Sequence, residues 1–323
     1  MASNQPTEDR ATSSNKLLPW IVNPHPRDAA GAIRAGLDAL FALRREAWWG
    51  DASNPESIWT TAKVLGSVAE LSAKFLTHSR RQDIQHSLDC LTHAHHHGCW
   101  QDDNQRPDCL STAMAVIALR CHRRSVPPAA LKFLESCRVA DGSFARSPGQ
   151  NTEPDMLTAL AITATVSRAL EYVHPSTEEF LIKNLGSALP VPGSCNAFRF
   201  YVCSEILDWP AGQASMQLLS KVSQLTIEVG DSTALGQALL LRSLLRLGIA
   251  RSWTVAARLR EMQAPDGSWY VASSANAAIH PADGSLECAN QVVVIATALS
   301  ALALAESQPG LYFGSDLPLP QRF

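Results

Sequence analysis

The chain has 323 residues, 46% hydrophobic and 18% charged, with a formal net charge of −3. This is the make-up of a soluble globular protein, and near-neutral charge without a basic block argues against nucleic acid or an anionic membrane surface as the main partner. No apolar run approaches the ~20 residues that a membrane span needs. The start, MASNQPTEDRATSSNK, is polar and has no apolar signal-peptide core. The expected setting is therefore cytoplasmic, with residues 1–16 a disordered tail. Eight cysteines without paired short spacings read as buried thiols rather than a disulfide framework.

Helical periodicity dominates the rest, and alternating strand patterns are almost missing. Six helix pairs are expected over 27–72, 80–122, 127–172, 175–207, 210–247 and 251–306, with an extended tail at 307–323. The first helix of a pair is amphipathic, as at 27–45, 127–138 and 251–262. The second is apolar nearly all round, as in ESIWTTAKVLGSVAEL from 56, DCLSTAMAVIALR from 108 and ECANQVVVIATALSALAL from 287. Such helices are covered on most sides. Pro127, Pro128, Pro175 and Pro210 stand near helix starts, where proline is tolerated.

Between the members of a pair a turn recurs. MQAPDGSWYV at 262–271 places Leu259, Gln263, Gly267 and Trp269 in the spacing of Leu134, Arg138, Gly142 and Phe144. Leu91, His95, Gly98 and Trp100 form a copy one residue shorter, and LFALRREAWWG, ending around Trp49, is a weaker relative. The fourth and fifth pairs lack the full signature. An open array of hairpins needs polar end repeats, yet the last inner stretch is among the most apolar. The expected fold is thus all-α, a closed α/α toroid of six hairpins spanning 17–306 around a central cavity.

Leu259-x3-Gln263-x3-Gly267-x-Trp269 resembles the QW repeat of squalene–hopene and oxidosqualene cyclases, whose relatives include class II diterpene cyclases and protein prenyltransferase β subunits. The resemblance implies the same toroid and a small hydrophobic substrate held inside it. The superfamily also contains thioester proteins and binding modules, so chemistry has to be argued from the site.

Glu56, Asp108, Asp155, Asp231 and Glu287 begin the apolar helices and would gather at one mouth of the barrel. One reading makes them helix N-caps, each stabilising by ~0.5–2 kcal/mol. The other comes from the resemblance, because class II cyclases carry Asp-x-Asp-Asp-Thr-Ala at an inner helix start. VGDSTALG aligns Asp231 with the proton-donating acid, Ser232 with the last Asp, and Thr233-Ala234 with Thr-Ala. DCLSTAMA keeps Asp108 and Thr112-Ala113 but puts Leu110 where the acid belongs. Asp231 and Asp108 are accordingly the catalytic candidates. Asp155 and Glu287 complete a polar wall, and Thr112, Ser232 and Thr233 supply orienting hydroxyls. Neither motif is intact, and an isolated alkene is hard to protonate without an organised acid pair. A cavity that aligns a diene and an alkene could instead close a ring by orientation alone. Trp59 and Phe198, early in inner helices, are the aromatic candidates for the substrate wall. Trp49, Trp100, Phe144 and Trp269 belong to the turns and wedge between hairpins.

Prenyltransferases of the superfamily bind zinc, but His93, His95, His96, His97 and Cys99 crowd one helix end instead of converging from separate segments. Glu287-Cys288 and His280 lack the accompanying pattern. No magnesium motif, phosphate loop, dinucleotide fingerprint or G-x-S-x-G is present. Neither a metal nor a cofactor is expected, and nothing marks an obligate protein partner. Peripheral membrane contact at the cavity entrance stays open. The expected function is cofactor-independent carbon–carbon cyclisation of a terpenoid or polyene. The alternatives are a pericyclase (an intramolecular Diels–Alder cyclase) and a non-catalytic binding or scaffold toroid.

Overall fold

The computed structural model describes residues 27–50, 54, 56–150, 155–186, 197–227, 233–269 and 291–308. In chain order the helices are α1 (Ala29–Ala42), α2 (Ile58–Val68), α3 (His78–His93), α4 (Cys109–Cys121), α5 (Pro128–Ser136) and α6 (Met156–Leu170). They continue with α7 (Pro175–Asn184), α8 (Ala197–Leu207), α9 (Met216–Ile227), α10 (Ala234–Arg246), α11 (Ser252–Glu261) and α12 (Gln291–Ser307), and a 3-10 turn spans Ala73–Phe75. No β-strand occurs among the described residues.

The even-numbered helices form an inner ring. Each packs on the next, from α2 through α4, α6, α8 and α10 to α12, and α12 packs back on α2. The odd-numbered helices surround them. Composition accounts for the division. Every residue of α4 from Cys109 to Leu119 is buried, whereas α3 buries only the stripe Ile84, Ser87, Leu88 and Leu91. A helix buried on all faces belongs in the middle layer, and one with a single apolar stripe belongs outside. Because each inner helix is reached through an outer one, all six inner helices run the same way. Side chains from the last turns of α2, α6, α8 and α10 meet one another, as parallel helices require.

The recurring turns fasten the ring through three kinds of contact, all three of which the Trp100 turn makes. First, the indole Nε1 donates back to the parent outer helix, from Trp49 to the Leu40 carbonyl, from Trp100 to Leu91 and from Trp269 to Leu259. Second, the backbone N–H of the turn aromatic donates to a threonine hydroxyl on the following inner helix. The pairs are Trp49–Thr61 at 2.9 Å, Trp100–Thr112 at 3.0 Å and Phe144–Thr163 at 3.1 Å. Third, the turn glycine abuts the next outer helix. A Cβ on Gly142 would lie 2.2 Å from the Ser176 carbonyl oxygen, and one on Gly267 would lie 2.2 Å from that of Ala35. Ala35 is on α1, so the last turn docks on the first helix. Gln263 reinforces the closure, its Nε2 donating to the Ala32 carbonyl at 2.8 Å.

Two boundaries differ from expectation. The fifth pair begins at Met216 and not near Pro210, because residues 211–214 form a turn with Gly212 at φ +83°. Glu56 does not cap α2; the Ser57 side chain does, accepting from Thr60 N–H at 3.3 Å. The two expected tails, residues 1–16 and 307–323, fall outside the described residues except for 307–308.

Candidate active site in the barrel lumen

The centre of the ring changes character along its axis. At the C-terminal end of the inner helices lies a small, partly polar recess of about 20 Å³, room for about one water molecule. On α2 it is lined by Lys63, Gly66 and Ser67, with Glu70 just past the helix end, and on α10 by Arg242. Positions spaced by three or four share a helix face. One further turn toward the N-terminus of α2, that face carries Trp59. The corresponding step on α4, from Met114 and Ile117, reaches Leu110. On α8 the face of Glu205 continues through Tyr201 to Phe198, whose rings lie 6.5 Å apart. Toward the N-termini these helix faces are therefore apolar and aromatic, above a charged floor. Trp59 and Phe198 are 8% and 9% exposed, against 0% for the turn residues Trp49, Trp100 and Trp269.

The floor is an ion-pair network at the ends of α2, α6, α8 and α10, joined to α12 through the Ser300 hydroxyl, that sequence reading missed. Lys63 pairs with Glu205 at 3.2 Å and lies 5.1 Å from the Tyr201 ring centre. Arg168 bridges Glu205 at 2.9 Å and Asp208 at 3.3 Å. Arg242 holds Asp208 and both oxygens of Glu70 and reaches Ser300 on α12. Burial pushes the carboxyls of Glu205 and Asp208 up, but the surrounding cations more than reverse it and keep both below the usual carboxylate range. The signal was available: α8 and α10 are apolar helices interrupted by Glu205 and Arg242, and a charge on an all-buried helix has to find a partner.

Gly66 borders the recess, and a Cβ built there meets nothing within 4 Å. Gly66→Ala is expected to raise the unfolding free energy by about 0.5–1 kcal/mol, since alanine restricts the unfolded chain and suits a helix interior. A urea titration followed by circular dichroism checks this.

At the opposite mouth, Asp108 caps α4, its Oδ2 accepting from Ser111 N–H at 2.6 Å, and the residue is only 5% exposed. Burial raises its pKa, and the opposing Arg146 charge and Ser111 N–H do not cancel that. This carboxyl is thus held nearer its protonated form than a solvated aspartate. Asp155 caps α6 but is exposed, taking N–H bonds from Leu157 and Thr158 and the Thr158 hydroxyl at 2.7 Å. Thr112 is fully buried with its hydroxyl engaged by the backbone of Trp100. Thr233 caps α10, accepting from Gly236 N–H at 3.0 Å. Asp231, Ser232 and Glu287 lie outside the described residues, as do His280 and Cys288.

Part of the histidine cluster is engaged locally. His93 Nδ1 contacts the Asp89 carbonyl, His95 stacks edge-on to Trp100, and Cys99 Sγ donates to the His96 carbonyl. Among the described residues no three His, Cys, Asp or Glu side chains are grouped to hold a metal ion, and no helix is long and apolar enough to cross a membrane.

Comparison with solved structures matches this architecture. A variant of the type II terpene cyclase MstE from Scytonema, in complex with geranylgeranyl dihydroxybenzoate, has a TM-score of 0.63 and 18% sequence identity, covering 86% of this chain and 97% of that one. The fold is terpene cyclase-like. Apo MstE gives a TM-score of 0.62 at 17% identity, covering 88% of this chain and 98% of that one. A protein from Actinoplanes gives 0.53 at 18% identity, covering 86% and 100%. No protein-family profile matches the chain, and no curated protein matches it in sequence.

Proposed function

We propose that the protein is a cofactor-independent cyclase that folds a hydrophobic terpenoid or polyene in the lumen and joins carbon to carbon. The observation that carries this reading is the closed ring of inner helices, with Trp59 and Phe198 in the first turns of α2 and α8 and the buried carboxyl of Asp108 at the start of the adjacent α4. The MstE complex, whose ligand is geranylgeranyl dihydroxybenzoate, gives the substrate class to try first. In this scheme Asp108 or Asp231 donates the initiating proton. The aromatic rings stabilise positive charge as it moves along the chain, and Thr233, Ser232, Asp155 and Glu287 border the entrance.

Asp108→Asn and Asp231→Asn, assayed on geranylgeranyl dihydroxybenzoate in ordinary and deuterated water, test the scheme. Proton initiation predicts a 10²–10⁴-fold loss of rate in the variant that removes the acid, and deuterium in the product. Because the donor must be protonated, a reaction started by Asp108 should slow as pH rises through that residue's elevated pKa. A second reading has its own support. Leu110 stands where the resemblance would place the acid, which favours ring closure by alignment. Full rate in both variants with an unlabelled product would establish that pericyclic route. No turnover of any polyene would leave a binding toroid.

A further inference from the structure

The recess at the C-terminal end of the ring takes its walls from α2, α4, α6, α10 and α12. It offers more donors than acceptors. The Ser67 side chain lines it and is 7% exposed, and among the described residues its hydroxyl has no hydrogen-bond partner. Lys63 carries three N–H donors; one goes to Glu205, and the ammonium otherwise lies beside the Tyr201 ring. Arg168 bonds Glu205 and Asp208 through Nη1 alone, leaving Nε and Nη2 without a partner among the described residues. These donors are not sealed in packing; their residues border the open volume. The carboxylate in the wall is Glu70, and its capacity is taken. Its Oε2 faces Arg242 Nη1 and the Ser300 hydroxyl, and its Oε1 faces Arg242 Nη2 at 3.0 Å and Arg246 at 3.6 Å.

We propose that this recess binds a single halide ion, chloride or bromide, which accepts from the Ser67 hydroxyl, the Lys63 ammonium and the Arg168 guanidinium. A water molecule there must place two hydrogens of its own, and Glu70 has no free lone pair to receive them. A halide only accepts, and its bonds to the two cations are of the stronger, charge-assisted kind. Charge agrees with this. The floor holds four cations, Lys63, Arg168, Arg242 and Arg246, against the three carboxylates Glu70, Glu205 and Asp208, so one negative guest completes the balance. Size sets the class of anion. The volume admits one body about as large as a water molecule, which excludes phosphate, sulfate and organic acids. Met114 and Ile117 close the α4 side with apolar surface, where an anion that sheds its hydration easily is tolerated best. The inference stands apart from the cyclase reading, because the site lies at the opposite end of the ring from Asp108 and concerns binding alone.

The test titrates the full chain with sodium chloride, exchanged for sodium gluconate at constant ionic strength so that screening is the same throughout. Binding is read by the excess line width of the chloride NMR signal and by the thermal midpoint. Chloride should show a saturable broadening that bromide displaces, and the midpoint should rise with chloride, as a ligand of the folded state requires. Ser67→Ala takes one donor from the anion and breaks no side-chain bond within the protein, so it should weaken chloride binding about tenfold. Gly66→Val fills the recess from α2, where a Cβ meets nothing within 4 Å, and should abolish binding. No excess broadening in the native protein, with equal midpoints in the two salts, would show that the recess takes water only and overturn the inference. Broadening that persists unchanged in Gly66→Val would place the chloride elsewhere on the protein and overturn it too. Should one variant not fold, the other decides.

Discussion

Arg242→Ala is expected to lower the unfolding free energy by about 3–5 kcal/mol, the range found when one partner of a buried charge pair is removed. Arg242 is 7% exposed and holds Glu70 of the α2 end, Asp208 beyond α8, Ser204 on α8 and Ser300 on α12. Its loss leaves Asp208 with Arg168 and Arg246, and Glu70 with the Ser300 hydroxyl and a 3.6 Å contact to Arg246. The penalty comes from stranding carboxylates in a dry place, not from the strength of the pairs. The double variant Arg242→Met with Asp208→Leu should therefore recover part of the loss, because it removes charge from both sides. Urea denaturation of the single and double variants measures both effects. A double variant less stable than the sum of the two single losses would contradict the account.

Gly267→Ala is expected to cost at least about 3 kcal/mol, through two separate causes. Its φ of +89° lies where a side chain is strained by roughly 1–2 kcal/mol. A Cβ there would also press against the Ala35 carbonyl oxygen and carbon of α1, at 2.2 and 2.5 Å. Neither is the tip of a flexible side chain, so the turn itself has to move. It carries Gln263 and Trp269 with it, and these tie α11 to α1. Hydrogen exchange should accelerate in α1 and α11 before it does in α5 and α6 on the far side. Gly149 has a similar φ of +81° but nothing within 4 Å, so Gly149→Ala, which meets only the backbone strain, isolates the contribution of the clash.

Much of this architecture could be read from residues. The alternation of striped and all-apolar helices separates outer from inner elements, because burial on one face and burial on all faces leave different periodicities. The glycine–aromatic turns identify the joints, since Gly142 and Gly267 sit where any side chain would meet the next helix. The ends of helices were harder. Pro210 looked like a helix start, but the positive φ at Gly212 delays α9 to Met216. Asp231 looked like a cap, but Thr233 performs that task for α10. Local polar residues compete for the same N–H groups, and sequence does not say which one wins. The floor of the lumen was the least legible part. Lys63, Arg168, Glu205 and Arg242 are far apart in the chain and become partners only once the ring has closed. Thr112 illustrates the opposite difficulty: a hydroxyl that suggested substrate contact is occupied in joining the Trp100 turn to α4.

The common direction of the six inner helices has an electrostatic result for whatever occupies the barrel. Each helix contributes roughly half a positive charge at its start and half a negative charge at its end. Stacked side by side, they polarise the centre of the ring lengthwise. An anionic or electron-rich group is favoured toward the Asp108 rim, and a developing cation is drawn inward toward the opposite end. Lys63, Arg168 and Arg242 answer the negative pole there, and their carboxylate partners keep that answer from becoming an excess. A ring-forming cascade begun at the rim would run down this gradient instead of against it.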